Sequence, residues 1–350
     1  MKALFIKGAH DIVLQETEKP VLQGDGDVIV KITAGAICGS DLHFLHGIAP
    51  FVPDFILGHE FIGEIESASP NANRFKIGQR VSVPAMPYCG ICPSCKKGDF
   101  YCCEASHMYG WRTKYGYLGG AQAQYIRVPY ANACLVPIPD SVTDKQALLI
   151  GDVISTGWFA LKMSGGLTPG DDIAVIGTGP VGLATIACAK LFSPRRIIGV
   201  DLLENRLEKA LQLGATDVIN ASKTDNVAKE IFKMTGKRGV NLAVEAVGKE
   251  ETLNTAIMSA GKGGNISLLG VGGDGWRTML AYAFYRNQNI NTGMVNLDVM
   301  DRLMDLTEIG KIDMSTIITH EISLDDIVEA YDMFDKKEDN CIKVMYRPHK

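Results

Sequence analysis

The chain has 350 residues, of which 46% are hydrophobic and 21% charged, and its formal net charge is −5. This composition is globular and excludes a disordered chain, and the acidic balance argues against a general nucleic-acid or anionic-membrane binder. At roughly 100–200 residues per domain, the length predicts two domains.

The start, M-K-A-L-F-I-K-G-A-H-D, has too short an apolar core for a signal peptide. Residues 1 to about 150 carry 10 of the 14 prolines and short alternating stretches such as D-V-I-V-K-I-T-A, which predict a mostly β domain. From about 170 the texture changes to short apolar runs separated mainly by helical segments. The strands expected are I-A-V-I-G, R-I-I-G-V-D, D-V-I-N, N-L-A-V-E-A-V, N-I-S-L-L-G and N-I-N-T-G, starting at Ile173, Arg196, Asp217, Asn241, Asn265 and Asn289. Six such runs describe a doubly wound parallel sheet, so the fold class is α/β. The longest nearly uncharged run, Ile173 to Ala189, is broken by glycines and a proline and predicts no membrane span. The last 55 residues carry helix candidates from Val299 and Ser323 and a closing strand, C-I-K-V-M-Y. A soluble, cytoplasmic protein is expected.

The first of these strands opens onto G-T-G-P-V-G, a G-x-G-x-x-G pattern at Gly177, Gly179 and Gly182 that includes Pro180 and Val181. The hexapeptide alone is weak, but a strand precedes it, a helix follows, and the second strand ends in Asp201, 19 residues beyond Gly182. The glycines suit a tight turn, close backbone approach to a pyrophosphate, and close helix–strand packing. The helix N-terminus stabilises phosphate charge. A carboxylate at Asp201 accepts from ribose hydroxyls and repels a 2′-phosphate, which predicts NAD over NADP. Arg206 is placed to support the ribose or face solvent.

Nine cysteines are an odd number, and in a reducing compartment clustered thiols read as metal ligands before disulfides. Cys89, Cys92, Cys95 and Cys103 are separated by two, two and seven residues. Four thiolates in one loop close a tetrahedral site with no open position, as in structural zinc. An iron–sulfur run begins in the same way but requires its fourth Cys after three residues, where this chain has Asp99. Cys102, beside Cys103, is an alternative fourth ligand. Cys134, Cys188 and Cys341 read as small buried hydrophobes. Trp111 reads either as ordinary packing or as a pocket wall, and His46 as a loop or pocket-rim residue.

The motifs C-G-S-D-L-H, G-H-E, the four-cysteine lobe, G-D-V-I-S-T-G and G-T-G-P-V-G occur in that order across almost the whole chain. Together they resemble the zinc-dependent medium-chain alcohol dehydrogenase family. The resemblance implies a GroES-like β domain over 1–153 and 293–350 and a Rossmann domain over 154–292. It implies two zinc ions per chain and NAD. Cys38, His59 and Asp152 match the ligands of a catalytic zinc, and Glu60 the nearby carboxylate. Asp152 stands where the second thiolate of the Cys2His type would be; this harder oxygen ligand suits a more electrophilic metal.

The same resemblance gives Ser40 and His43 the proton-relay roles, Thr156 a place beside the nicotinamide, and Lys343 one near the pyrophosphate. The expected reaction is reversible hydride transfer between a small primary or secondary alcohol and NAD. A polyol, butanediol or threonine dehydrogenase on the same scaffold is the alternative. A catalytically silent nucleotide-binding relative is the non-enzyme alternative, and the retained Cys38, His59 and Asp152 argue against it. The partners that the resemblance implies are a small alcohol, aldehyde or ketone and further copies of the chain, with a tetramer favoured over a dimer because the short segment between Cys103 and Gly119 resembles that of the family's tetrameric branch. No nucleic acid or membrane partner is expected.

Overall fold

The computed structural model describes residues 1–272 and 276–349. The chain divides into two compact units, Met1–Asp152 with Asn296–Lys350, and Val153–Val295.

The first unit is built on antiparallel β-structure. In its larger sheet, Ile318–Ser323, Lys343–Arg347, Val28–Ala36, Glu60–Ala68, Arg80–Ser82 and Val136–Pro137 lie side by side, and Tyr125–Val128 also pairs with Val28–Ala36. A smaller sheet places Lys2–Gly8 between Asp11–Glu16 and Phe55–Ile56. Strand Val28–Ala36 is mostly buried on both faces, as its near-continuous apolar run requires. Val28, Val30 and Ile32 pack with Phe61, Ile65, Val81 and Ile126 in one core.

The chain's end returns to this unit because Lys343–Arg347 pairs antiparallel with Val28–Ala36, with Met345 opposite Ala36. A second core joins Leu4, Ile6, Ile37 and Phe44 to Ile327, Tyr331 and Phe334 of helix Ile327–Lys336. The closing strand begins at Lys343, two residues later than C-I-K-V-M-Y predicts. The parallel strand beside it, Ile318–Ser323, is not legible in the sequence, because only two residues of I-T-H-E-I-S are apolar and only Ile318 is buried.

The second unit is the doubly wound sheet. Its six parallel strands run in the order Asp217–Asn220, Arg196–Asp201, Asp172–Ile176, Val240–Glu245, Ala260–Leu268 and Asn289–Thr292. This places the chain-order strands as third, second, first, fourth, fifth and sixth, the dinucleotide-binding order, with a crevice at the carboxyl ends where the order reverses. Asp172–Ile176 is buried throughout, and helix Pro180–Ala189 is buried from Gly182 to Ala189, so beyond Asp172 both read as nearly continuous apolar sequence. Among the described residues no helix is long and apolar enough to cross a membrane.

Candidate active site and dinucleotide loop

In the first unit, three segments far apart in sequence converge. Cys38 precedes helix Gly39–Leu45, and its amide donates to Asp41 Oδ2 at 2.9 Å, which caps the first turn of that helix. His59 and Glu60 stand at the start of strand Glu60–Ala68. Asp152 lies in a π-helical turn, Ile150–Ile154, a rare geometry that recurs at functional sites.

One ligand atom each from Cys38, His59, Glu60 and Asp152 lies within 4.8 Å of the others. Cys38 Sγ is 3.9 Å from Asp152 Oδ2, and His59 Nε2 is 3.4 Å from the same oxygen. Ser40 Oγ is 3.4 Å from His59 Nε2. On the far side of the ring, His59 Nδ1 faces Asp41 Oδ1 at 3.4 Å, so Nε2 is the nitrogen turned toward Cys38 and Asp152.

The electrostatics of this set favour binding a cation. Burial raises the Cys38 thiol above its usual value, helped by Glu60. Burial alone would lower His59, but Asp41, Cys38 and Asp152 together hold it well above the ordinary histidine range. Glu60 is raised by burial, and its Oε2 has no hydrogen-bond partner. A soft sulfur, an imidazole nitrogen and carboxylate oxygens around one point form a donor set that suits zinc. Protons held on Cys38 and His59 must leave as a metal enters, so loading is expected to weaken as pH falls.

Lys343 is also part of this site. It is 1% exposed, and its Nζ donates to Glu60 Oε1 at 2.6 Å. The resemblance puts this side chain at a pyrophosphate; in the structure its ammonium is paired with Glu60. Burial would depress Lys343, but Glu60 and Cys38 raise it above its ordinary value. Asp41 has no role in the sequence-based expectation, although a carboxylate at the third position of a helix is where one can cap the first turn.

His43 lies on the same short helix as Ser40 and is half-buried. Burial, and then His46, lower it below the usual histidine value, against an opposing pull from Asp41. His46 Nε2 is 3.0 Å from Asp335 Oδ2. A lowered folded value means that His43 contributes stability above the unfolded value of about 6.5, and this is lost as pH falls through the folded one. NMR titration is expected to find His43 below 6.5 and to find it raised in His46→Asn; an unmoved midpoint would contradict this coupling. Trp111 packs partly buried against the first unit's second core, its Nε1 donating to Pro50 O at 3.0 Å and its ring 5.9 Å from that of Phe44.

Cys89, Cys92, Cys95 and Cys103 form a second group, again with their ligand atoms within 4.8 Å. Cys89 and Cys95 sulfurs are 4.0 Å apart. Zn–S bonds of about 2.3 Å in a tetrahedron place sulfurs about 3.8 Å apart, so the spacing suits one ion, whereas an iron–sulfur cluster requires a wider cage. The Cys89 amide donates to Cys103 Sγ at 3.3 Å and the Cys92 amide to Cys89 Sγ at 3.4 Å, both favouring thiolates. Backbone amides of Cys95 and Glu104 hold Cys92 below the ordinary thiol value. Cys102 is exposed and lies outside the group.

In the second unit, the glycine-rich turn follows strand Asp172–Ile176. Gly177 has φ 91°, and a Cβ on Gly182 would lie 1.9 Å from Gly177 O, so neither position accepts a side chain. Gly179 caps helix Pro180–Ala189, with Pro180 in its first turn. Asp201 Oδ2 accepts from Thr178 N at 2.8 Å and Thr178 Oγ1 at 3.2 Å, while Oδ1 accepts from Leu202 N and Leu203 N. Arg206 Nη1 lies 4.0 Å from Asp201 Oδ2. Thr156 is on helix Ser155–Lys162.

Glu245, which the sequence reading did not single out, is fully buried at the carboxyl end of strand Val240–Glu245. Its Oε1 accepts from the Val247 and Gly248 amides and from Thr252, fixing the loop next to Gly177. A carboxylate closing an apolar strand was the available signal. A cavity of about 970 Å3 lies at the opposite strand ends, near Lys237, Arg238 and Lys262. These cations follow helices Val227–Met234 and Glu250–Ser259, whose C-termini they complement.

Residues 24–140 match the alcohol dehydrogenase GroES-like domain family, and residues 180–323 match the zinc-binding dehydrogenase family. An alcohol dehydrogenase of Cupriavidus necator is 35% identical over 99% of this chain and 98% of its own. The chain belongs to the zinc-dependent medium-chain alcohol dehydrogenase family. A sorbitol dehydrogenase of Bacillus subtilis is 32% identical, covering all of this chain and 98% of its own. Among solved structures, the apo form of a zinc-dependent alcohol dehydrogenase from Streptococcus pneumonia superposes with a TM-score of 0.93 at 35% identity. It covers 100% of this chain and 99% of that one.

Proposed function

We propose that this family member is a zinc-dependent alcohol dehydrogenase that transfers hydride reversibly between a small primary or secondary alcohol and NAD. The observation that carries the reading is the Cys38–His59–Glu60–Asp152 group, in which His59 and Glu60 are buried and Cys38 and Asp152 partly so. Cys38, His59 and Asp152 would hold a catalytic zinc, with Glu60 the carboxylate beside it. Zinc bound there supplies a Lewis acid that lowers the pKa of an alcohol hydroxyl.

Ser40, whose Oγ lies 3.4 Å from His59 Nε2, would hydrogen-bond the reacting oxygen. His43, kept neutral by burial and by His46, would receive the proton and pass it to solvent. The second unit would bind the dinucleotide on Gly177, Gly179, Pro180, Val181 and Gly182, with Thr156 beside the nicotinamide. Asp201 would accept from the ribose. Arg206 lies beside Asp201, and the Asp201 carboxylate, which would repel a 2′-phosphate, supports NAD over NADP. Cys89, Cys92, Cys95 and Cys103 would hold a second, structural zinc.

The same reading places the enzyme in a reducing cytoplasm, where such thiolates persist, and as a homotetramer. Sorbitol dehydrogenase among its relatives keeps polyols in view as substrates. A panel of alcohols, polyols, aldehydes and ketones with NAD(H) and NADP(H), together with a zinc count, tests the proposal. Turnover of simple alcohols with NAD and two zinc ions per chain are expected. Inertness toward the whole panel, or a preference for NADP, would overturn it.

A further inference from the structure

Behind His59 runs a buried polar chain that the proton path does not use. Asp41 is 0% exposed, and its Oδ2 accepts from the Cys38 amide at 2.9 Å and from Gln122 Nε2 at 3.1 Å. Gln122 is also 0% exposed, and its Oε1 accepts from the Tyr331 hydroxyl at 2.9 Å. Tyr331 is 1% exposed and sits on helix Ile327–Lys336, about 270 residues beyond His59 in sequence.

A carboxamide has unlike ends, and that asymmetry gives the chain its direction. With the phenol donating to Oε1, the Gln122 amino group faces Asp41 and supplies a hydrogen bond. In the reverse orientation a carbonyl oxygen would meet a carboxylate oxygen in a buried, low-dielectric site, which is costly. The phenol of Tyr331 therefore selects the amide orientation that Asp41 requires. Asp41 in turn faces His59 Nδ1 at 3.4 Å and holds the Cys38 backbone, touching two of the three proposed ligand residues.

We propose that Gln122 and Tyr331 are positioning residues for the metal group: their hydrogen bonds hold Asp41 against His59 and Cys38 and so raise the group's affinity for zinc. The proposal rests on reading Cys38, His59 and Asp152 as a metal site. Removing an outer hydrogen-bond partner of a metal-bound histidine costs about 10–100-fold in affinity. Gln122→Met removes the donor to Asp41, one step behind the histidine's own partner, and is expected to weaken zinc binding about tenfold, the low end of that range. Tyr331→Phe leaves the amide in place but unoriented, and an effect of about threefold is expected, below the range for a direct partner. Gln122→Glu has nearly the shape of the native residue yet puts a carboxylate against Asp41, so it should be worse than Gln122→Met. A role in packing alone predicts the reverse order.

The test is zinc release from the full chain to a chelator, measured in stages, with thermal unfolding in parallel. The stage missing in Cys38→Ser identifies the site. Weakening confined to that stage, in the order Glu beyond Met beyond Phe, is the expected result. Wild-type release in all three variants, or equal weakening at the four-cysteine stage, would overturn the proposal. If Cys38→Ser removes no stage at all, the metal-site reading fails and the proposal with it, an outcome distinct from the other two.

Discussion

Cys38→Ser is expected to reduce turnover about a thousandfold or more while leaving the fold intact. The thiol is one of three residues proposed to hold the Lewis acid, and losing several kcal/mol of charge stabilisation, about 4, corresponds to about three decades in rate. Serine nearly preserves the volume and keeps a polar group beside Asp152, so the surrounding packing has little reason to change. His59→Ala should give the same kinetic result but lose some stability as well, because Asp41 would then be left facing a gap. Steady-state kinetics with circular dichroism and a zinc count checks this. Wild-type kcat in Cys38→Ser would sink the ligand assignment.

The second large effect concerns stability. Lys343→Met is expected to destabilise the first unit by about 3–5 kcal/mol, the usual result of removing one partner from a buried ion pair. Lys343 and Glu60 are each 1% exposed, so water cannot replace the lost ammonium. Glu60 Oε2 already lacks a hydrogen-bond partner, and without Lys343 the Oε1 contact disappears as well. Adding Glu60→Gln removes the stranded charge, so the double variant should recover much of the loss. Denaturant midpoints for the four members of the cycle measure this coupling. Additive losses, or a Lys343→Met midpoint equal to wild type, would contradict the pairing. The Michaelis constant for NAD, followed in the same variants, separates this role from a pyrophosphate contact: only the latter raises it in the double variant too.

The six strands of the doubly wound sheet were legible because a parallel sheet covered on both faces needs short, nearly continuous apolar runs. The glycine-rich turn was legible for a related reason: a positive φ at Gly177 and the contact at Gly182 each exclude a side chain. Strand Ile318–Ser323 was not, since an edge strand half open to solvent has little apolar pattern to read. The four-cysteine group is local, with all four thiols within fifteen residues, so its spacing alone suggested a metal.

The other metal-type group is different. Nothing in the spacing of Cys38, His59 and Asp152 brings them together; only the order of motifs in a resembling family did so. The sequence by itself determined the fold class, the dinucleotide turn and the thiol cluster, because each leaves a local pattern in the chain: short apolar runs, closely spaced glycines, closely spaced thiols. The tertiary structure decided which polar groups meet in the interior. Lys343 returns to Glu60 because the last strand pairs with Val28–Ala36, and Tyr331 reaches Gln122 through the helix packed in the same unit. A buried charge or amide must find its partner wherever the fold supplies one, and separation along the chain does not limit that choice.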